Sequence, residues 1–198
     1  MAHTELWEQL GRLDRQTTAK TAKCQYKSNP ERYVIQLLNT EYEVSLADRQ
    51  VLSVKQGCEQ MPAGFLRELC ILAYLINARD LPLADKLVKA ESLPGGEFFF
   101  RGQHGLPTDK LEEAFGEKPA LLYEAGARLN AKKRDFGDAS VELLALPRIP
   151  LTFIIWRSDE EFGPRASILF DQTAAGQLPL DALLALTNIV VDALTKTS

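Results

Sequence analysis

Thiols, imidazoles and long apolar runs are scarce in this chain. Its 198 residues hold three cysteines and two histidines. The cysteines, Cys24, Cys58 and Cys70, are spaced too widely for a Cys-x-x-Cys zinc or redox pair. An iron–sulfur cluster takes four thiolates as a rule, so none is expected on this chain alone. Three free thiols are the simpler expectation, with Cys70 a small hydrophobe inside an apolar helix. No apolar run reaches the roughly eighteen residues that a bilayer crossing needs. The opening residues, MAHTELWEQLGRLDR, lack the basic-then-apolar pattern of an export signal. The cytoplasm, where thiols stay reduced, is therefore the expected location.

Concentrated positive charge is also missing. Lys and Arg number 23 against 27 Asp and Glu, for a net charge of −4. A nucleic-acid surface needs a basic face, so no nucleic-acid partner is expected. The densest basic stretch, Lys132-Lys133-Arg134, is offset by Asp135 and Asp138 and reads as a solvated loop. Several catalytic and phosphate motifs are lacking as well. There is no Gly-Lys-Ser/Thr loop, no G-x-G-x-x-G order and no G-x-S-x-G elbow. No cysteine lies close in sequence to a histidine, so nucleophilic catalysis has little support.

What is present is a globular pattern of ordinary composition, 45% apolar and 25% charged. Thr4 is placed to cap a helix running to about residue 20, with Leu6, Leu10 and Leu13 on one face and Trp7 beside them. Residues 17–30 are polar and read as irregular near their end. Tyr33 to Leu38, then Asn39-Thr40, then Tyr42, Val44 and Leu46 alternating with Glu43 and Ser45, predict a β-hairpin. Val51 to Val54 extends it as a third strand.

Pro62 opens the most apolar helix, about 63–78, which predicts a central core element. The aromatic run Phe98-Phe99-Phe100 suits a strand or a buried helical turn. Short helices are expected from Pro107 to Gly116 and from Pro119 onward. Val141–Leu146, Leu151–Trp156 and Ala166–Phe170 read as strands, the middle one buried on both faces. A final helix over about 179–195 carries Leu180, Leu183, Leu184, Thr187, Val191 and Leu194 as its core stripe. Strands in adjacent hairpins around a helical middle predict an α+β fold: a single domain with a mainly antiparallel, or mixed, sheet packed with helices. Residues 1–30 read as an N-terminal helix and connector, and 31–198 as one α+β domain.

Two stretches draw attention as places for chemistry. The first is WRSDEEFGPRASILFD, residues 156–171. It reads as a solvated hairpin loop, with Arg157 and Arg165 flanking Asp159, Glu160 and Glu161; exposed pairs of that kind contribute only about 0–1 kcal/mol each. A second reading makes Trp156 and Phe162 the anchors of a docking surface. A third joins Asp159 and Glu160 to Asp171 or Asp138 as a site for a divalent cation, although no D-x-[DN]-x-[DN]-G loop is present. The other stretch is PGGEFFFRGQHG, residues 94–105. Its glycines permit close backbone approach to a ligand. Arg101 is suited to a bidentate hold on a carboxylate or phosphate, and His104 to ligation or proton transfer. The plainer reading makes the glycines turns and His104 a surface residue.

The order of several landmarks resembles a domain family of unknown function found mainly in anaerobic bacteria and archaea. The residues that carry it are Tyr74-Leu75 near the end of an apolar helix, Pro94-Gly95-Gly96 before the aromatics, and Gly137-Asp138 before a strand. Pro147-Arg148-Ile149-Pro150-Leu151 then leads to a strand ending at Trp156, followed by Asp159 to Phe162 and by Phe170-Asp171. The match runs from about residue 30 to the end. The resemblance implies an accessory or ligand-binding role near low-potential redox or corrinoid and one-carbon chemistry, because members are sometimes fused to a four-cysteine iron–sulfur domain or sit beside such proteins. The four-cysteine segment is absent here. A corrinoid or other tetrapyrrole ligand is the cofactor class that the resemblance leaves open, with His104 as the axial candidate.

Three functions follow. The first is a cytoplasmic ligand-binding or accessory module without chemistry of its own, whose working face combines Arg101 and His104 with Trp156, Arg157 and the loop to Phe162. Its partner would be a small molecule or a redox or one-carbon protein. The second is an enzyme using the carboxylates of 159–171, with or without a divalent ion. The third is a structural homo-oligomeric interaction protein.

Overall fold

The computed structural model describes residues 3–54 and 60–196; Cys58 lies outside them. The chain begins with two short helices, α1 (Thr4–Arg12) and α2 (Arg15–Thr21), where one continuous helix was expected. Leu13 is extended, and the Asp14 carboxylate accepts a hydrogen bond from the Thr17 amide at 2.8 Å, so a fresh N-cap starts α2. The Arg15 guanidinium turns back onto the carbonyls of Leu10, Gly11 and Leu13, which closes α1.

Next comes a meander of five antiparallel strands: β1 (Gln25–Ser28), β2 (Glu31–Leu37), β3 (Thr40–Ser45), β4 (Gln50–Val54) and β5 (Met61–Pro62). The hairpin at Asn39 has Leu38 at φ 55, the left-handed geometry that a two-residue turn needs. Strand β1 occupies part of the stretch read as irregular. Its side chains are mostly exposed, so no buried alternation marked it.

Helix α3 (Phe65–Asn77) follows, buried from Cys70 to Leu75 but with Phe65 and Leu66 exposed at its start. After β6 (Leu87–Lys89) come the helical turn α4 (Gly96–Phe99) and the helices α5 (Thr108–Phe115) and α6 (Leu121–Ala127). The aromatic run is thus a helical turn, and a graded one: Phe98 is exposed, Phe99 half-buried and Phe100 buried. The second sheet is completed by β7 (Lys132–Arg134), β8 (Ala139–Leu146), β9 (Ile149–Trp156) and β10 (Arg165–Asp171), in the order β6-β10-β9-β8-β7. Lys132 to Arg134, expected as a loop, forms the edge strand; a lysine-rich edge resists pairing with other chains. Helix α7 (Leu180–Thr195) closes the fold.

The fold is α+β, with two antiparallel sheets in place of the one expected. Strand β9 is buried on both faces from Ile149 to Ile155. Its outer ladders to β8 and β10 make it the centre of the second sheet. The α3 and α7 helices meet each other, with Cys70 Sγ 3.4 Å from the Ala182 carbonyl. Trp7 and Leu10 of α1 join the same buried cluster as residues of both sheets. The sheets are tied directly where the Leu38 amide donates to the Ala145 carbonyl at 2.8 Å.

A second tie is polar and buried. Arg148, in the tight turn between β8 and β9, is 5% exposed. Its guanidinium donates to the carbonyls of Thr21 at 2.6 Å and Leu81 at 3.0 Å, and it pairs with the Asp80 carboxylate. One side chain thereby fastens the end of α2, the segment after α3 and the second sheet. Nearby, the Tyr74 hydroxyl donates to the Ala22 carbonyl at 3.1 Å.

Among the described residues, no helix is long and apolar enough to cross a membrane.

Candidate functional site

The acidic stretch is a loop of 157–164 between β9 and β10. Its first carboxylate is used locally. Asp159 accepts from the amides of Glu161 at 2.9 Å and Phe162 at 2.7 Å, while its own amide donates to the Phe162 carbonyl. These backbone bonds hold the Asp159 carboxyl below its ordinary value. The neighbouring Asp138 accepts from the Arg157 amide at 2.8 Å. The Arg165 guanidinium lies 5.9 Å from the centre of the Trp156 ring, and its charge adds a smaller push that keeps Asp159 low.

Asp171 stands elsewhere. An antiparallel hairpin puts the start and end of its second strand at opposite ends, and six residues of β10 span about 20 Å. Asp171 is buried, and its Oδ1 accepts from the Ala84 amide at 3.1 Å, the Thr173 amide at 2.9 Å and the Thr173 hydroxyl at 2.6 Å. Burial works to raise its pKa, but these donors outweigh it and hold the carboxyl low. Asp159 and Glu160 are therefore not brought together with Asp171. Among the described residues, no group of three or more His, Cys, Asp or Glu side chains is placed to hold a metal ion.

The glycine-rich stretch also turns inward on itself. A side chain at Gly96 would put its Cβ 2.0 Å from the Ala90 carbonyl oxygen, so the close backbone approach is to the chain's own turn rather than to a ligand. Arg101 pairs with Glu97 at 3.1 Å. The His104 ring stacks on Phe99 with centroids 4.7 Å apart and planes inclined by 11°. Neither side chain lines the two clefts that adjoin the β9–β10 hairpin.

Other residues of the same two stretches do meet. Phe100 and Gly105, with the adjoining Leu106, face Ala166 to Leu169 of β10 across a cleft of about 350 Å³. Adjoining it, Trp156, Arg165 and Glu112 line a second cleft of about 520 Å³. Lys89, Ala166 and Ser167 belong to both, so the two form one groove along β10. It exists because β6 is short: its pairing with β10 ends at Lys89 opposite Leu169, and the chain then turns away at Ala90. The edge of β10 over 165–168 is left beside open space. The Ala166 amide there donates to the Glu112 side chain of α5 at 3.0 Å.

Two further cavities lay beyond sequence reasoning. The larger of the two, about 700 Å³, lies among α5, α6 and the end of α7, beside the Lys110–Asp192 ion pair at 2.7 Å. Its walls come from helix ends far apart in the chain, and no local pattern marks them. The other, about 430 Å³, lies between β2 and β8 and includes Cys24. Burial pushes that thiol up to about 12, which leaves it protonated and unreactive at neutral pH. Burial pushes Cys70 up to about 12 likewise.

The groove along β10 is the only one of these lined by both stretches singled out in the sequence. It combines a partly exposed tryptophan, two cations and a backbone edge. Such a surface is equipped to hold an extended or flat ligand; it contains no nucleophile paired with a base. Comparison with curated proteins and with solved structures finds no match. A family model does match residues 14–193, that of DUF3786, a domain of unknown function, and the chain belongs to that family.

Proposed function

We propose that this protein is a cytoplasmic binding module, accessory to low-potential redox or corrinoid and one-carbon systems, and that its working face is the groove along β10. The observation that carries the reading is the groove itself, where Trp156 and Arg165 stand at one end and Phe100 and Gly105 at the other, with Lys89 between. The chemical neighbourhood rests on the resemblance described above. The carboxylates of the alternative enzyme reading give it less support, since Asp159 and Asp171 are both held low by hydrogen bonds and so are poorly suited to carry protons near neutral pH.

Trp156 makes the reading testable, because the other tryptophan, Trp7, is 2% exposed and remote from the groove. Cobalamin and haem are each titrated into the protein under anaerobic conditions. Absorbance of the compound and tryptophan emission are followed together. A shifted spectrum with emission quenching that Trp156→Phe removes supports a tetrapyrrole ligand in the groove. Unaltered spectra and emission with both compounds remove the tetrapyrrole form. His104 enters the same test: an axial role requires His104→Ala to change the bound spectrum, although it stacks on Phe99 and lines neither of the two clefts.

A second reading, a homo-oligomer, is favoured by one observation. Met61, Phe65 and Leu66 are 65%, 63% and 46% exposed within six residues of chain. Light scattering that gives a monomer mass at high concentration ends it.

A further inference from the structure

We propose that the edge of β10 accepts an extended acidic peptide segment of a protein partner, which adds to the second sheet as a strand in line with β6. The proposal rests on the groove reading above and names its occupant.

The backbone supplies the first argument. In an antiparallel ladder alternate residues turn both amide and carbonyl to the same side. The Gln172 amide donates to the Lys86 carbonyl, on the β6 side. Ala166 and Ile168 share that parity, so they face the groove. A longer β6 would pair with them, but Ala90 begins a turn that carries the chain away. That turn is locked, because Gly96 packs against the Ala90 carbonyl with no room for a Cβ. The edge is thus kept open by construction rather than by a slack loop. A carboxylate oxygen of Glu112 occupies the place where a strand carbonyl would accept from Ala166.

Charge supplies the second argument. Lys89 and Arg165 both line the Trp156 end of the groove. Among the described residues neither makes an ion pair. The single acid at that end, Glu112, is engaged by the Ala166 amide. A segment whose side chains on that face are carboxylates meets Lys89 and Arg165, while its backbone meets the strand edge. Gly105, Leu106 and Thr108 on one part of the groove and Glu112 of α5 on the other flank the open edge.

The test uses the intact protein and three fluorescently labelled hexapeptides, read by polarisation. One alternates glutamate and valine. The second has lysine in place of glutamate. The third is the first with its alternate backbone amides N-methylated, which leaves charge intact and removes strand pairing. The glutamate–valine peptide is expected to bind saturably, and each of the others at least tenfold more weakly. Glu112→Ala frees the Ala166 amide and removes a like charge, so it is expected to tighten the first peptide about tenfold. Ala166→Pro removes the edge donor without touching the ladder to β9 and is expected to abolish binding. Should that variant fail to fold, the N-methylated peptide still decides the point.

Equal binding of the first and third peptides overturns strand addition. Equal binding of the first and second overturns the acidic occupant. No saturable binding of the first up to about 1 mM, a free energy near 4 kcal/mol, overturns the proposal. So does a dimer that Ala166→Pro dissociates, since the occupant is then a second copy. If cobalamin or haem still quenches Trp156 while the peptides fail, the groove reading stands and only the peptide falls.

Discussion

Strand β9 is entered by one turn and left by another, and the two treat charge in opposite ways. The entering turn, Pro147-Arg148, is tight and hides a single arginine that is 5% exposed and bonded to three residues in two distant segments. The leaving loop, 157–164, carries three consecutive acids in the open, with Asp159 bonded only to its own backbone. The conspicuous charges do local work, and the inconspicuous one joins distant parts of the chain. Charge density in a sequence therefore says little about where charge matters energetically. Burial and the number of partners decide that.

The widest gap between the two turns is reached by removing Arg148. Hydrogen bonds from a charged donor contribute roughly 1.5–3 kcal/mol each, and truncation also leaves the part-buried carbonyls of Thr21 and Leu81 without their partner. Arg148→Ala is expected to lower stability by about 3 kcal/mol or more, read as a drop in the urea midpoint at constant slope. Hydrogen exchange should quicken at the end of α2 and around Leu81 together, because one side chain holds both. A loss confined to the β8–β9 turn would break the comparison. Gly96→Ala comes next. Its Cβ would meet a backbone oxygen at 2.0 Å, and overpacking of that kind costs typically 1–3 kcal/mol. It should also disturb the turn at Ala90 and with it the open edge of β10.

Asp171 gives a smaller effect with a distinctive pH signature. Its carboxyl is held below the usual value near 3.9, so the folded state favours the ionised form. The stability this supplies is fully present above that usual value and is lost as pH falls through the lower folded value. Asp171→Asn keeps an acceptor for Ala84 and Thr173 but loses the charge, at a cost of about 1 kcal/mol at pH 7. Once the pH falls below that lowered folded value, the difference between variant and wild type should close. A difference that persists unchanged into acid would show that shape, and not ionisation, makes the site.

Much of the fold was legible because side-chain periodicity records burial. Tyr42 to Leu46 alternate because one face of β3 is covered, Leu151 to Ile155 run apolar because both faces of β9 are, and α7 carries its stripe. Where burial is absent the record is too. Gln25–Ser28 and Lys132–Arg134 are edge strands with exposed side chains, held by backbone bonds that any sequence can make. The break at Leu13 had one local sign, Asp14, a residue that can cap a fresh helix or simply face water on a continuous one. The groove was half legible. Both stretches that line it stood out, yet the residues chosen from them, Arg101 and His104, bind their own neighbours, whereas Lys89 and Glu112 gave no local sign. Arg148 was least legible of all, since Thr21 lies 127 positions away and nothing near Arg148 announces it.

The smallest effect sharpens the contrast most. Replacing Asp159, Glu160 and Glu161 together by Asn and Gln keeps the acceptor that closes the loop, since an amide oxygen can take the Glu161 and Phe162 hydrogen bonds as a carboxylate does. All three side chains are exposed, and solvent already screens them. The urea midpoint of this triple variant should match wild type at neutral pH. Its melting temperature should respond to added magnesium or calcium as wild type does, because Asp171, the carboxylate a cation would need, sits at the far end of β10. A cation-dependent rise in melting temperature that the triple variant loses would mean that the loop gathers oxygens on binding, and would return the acidic loop to the centre of the molecule's chemistry.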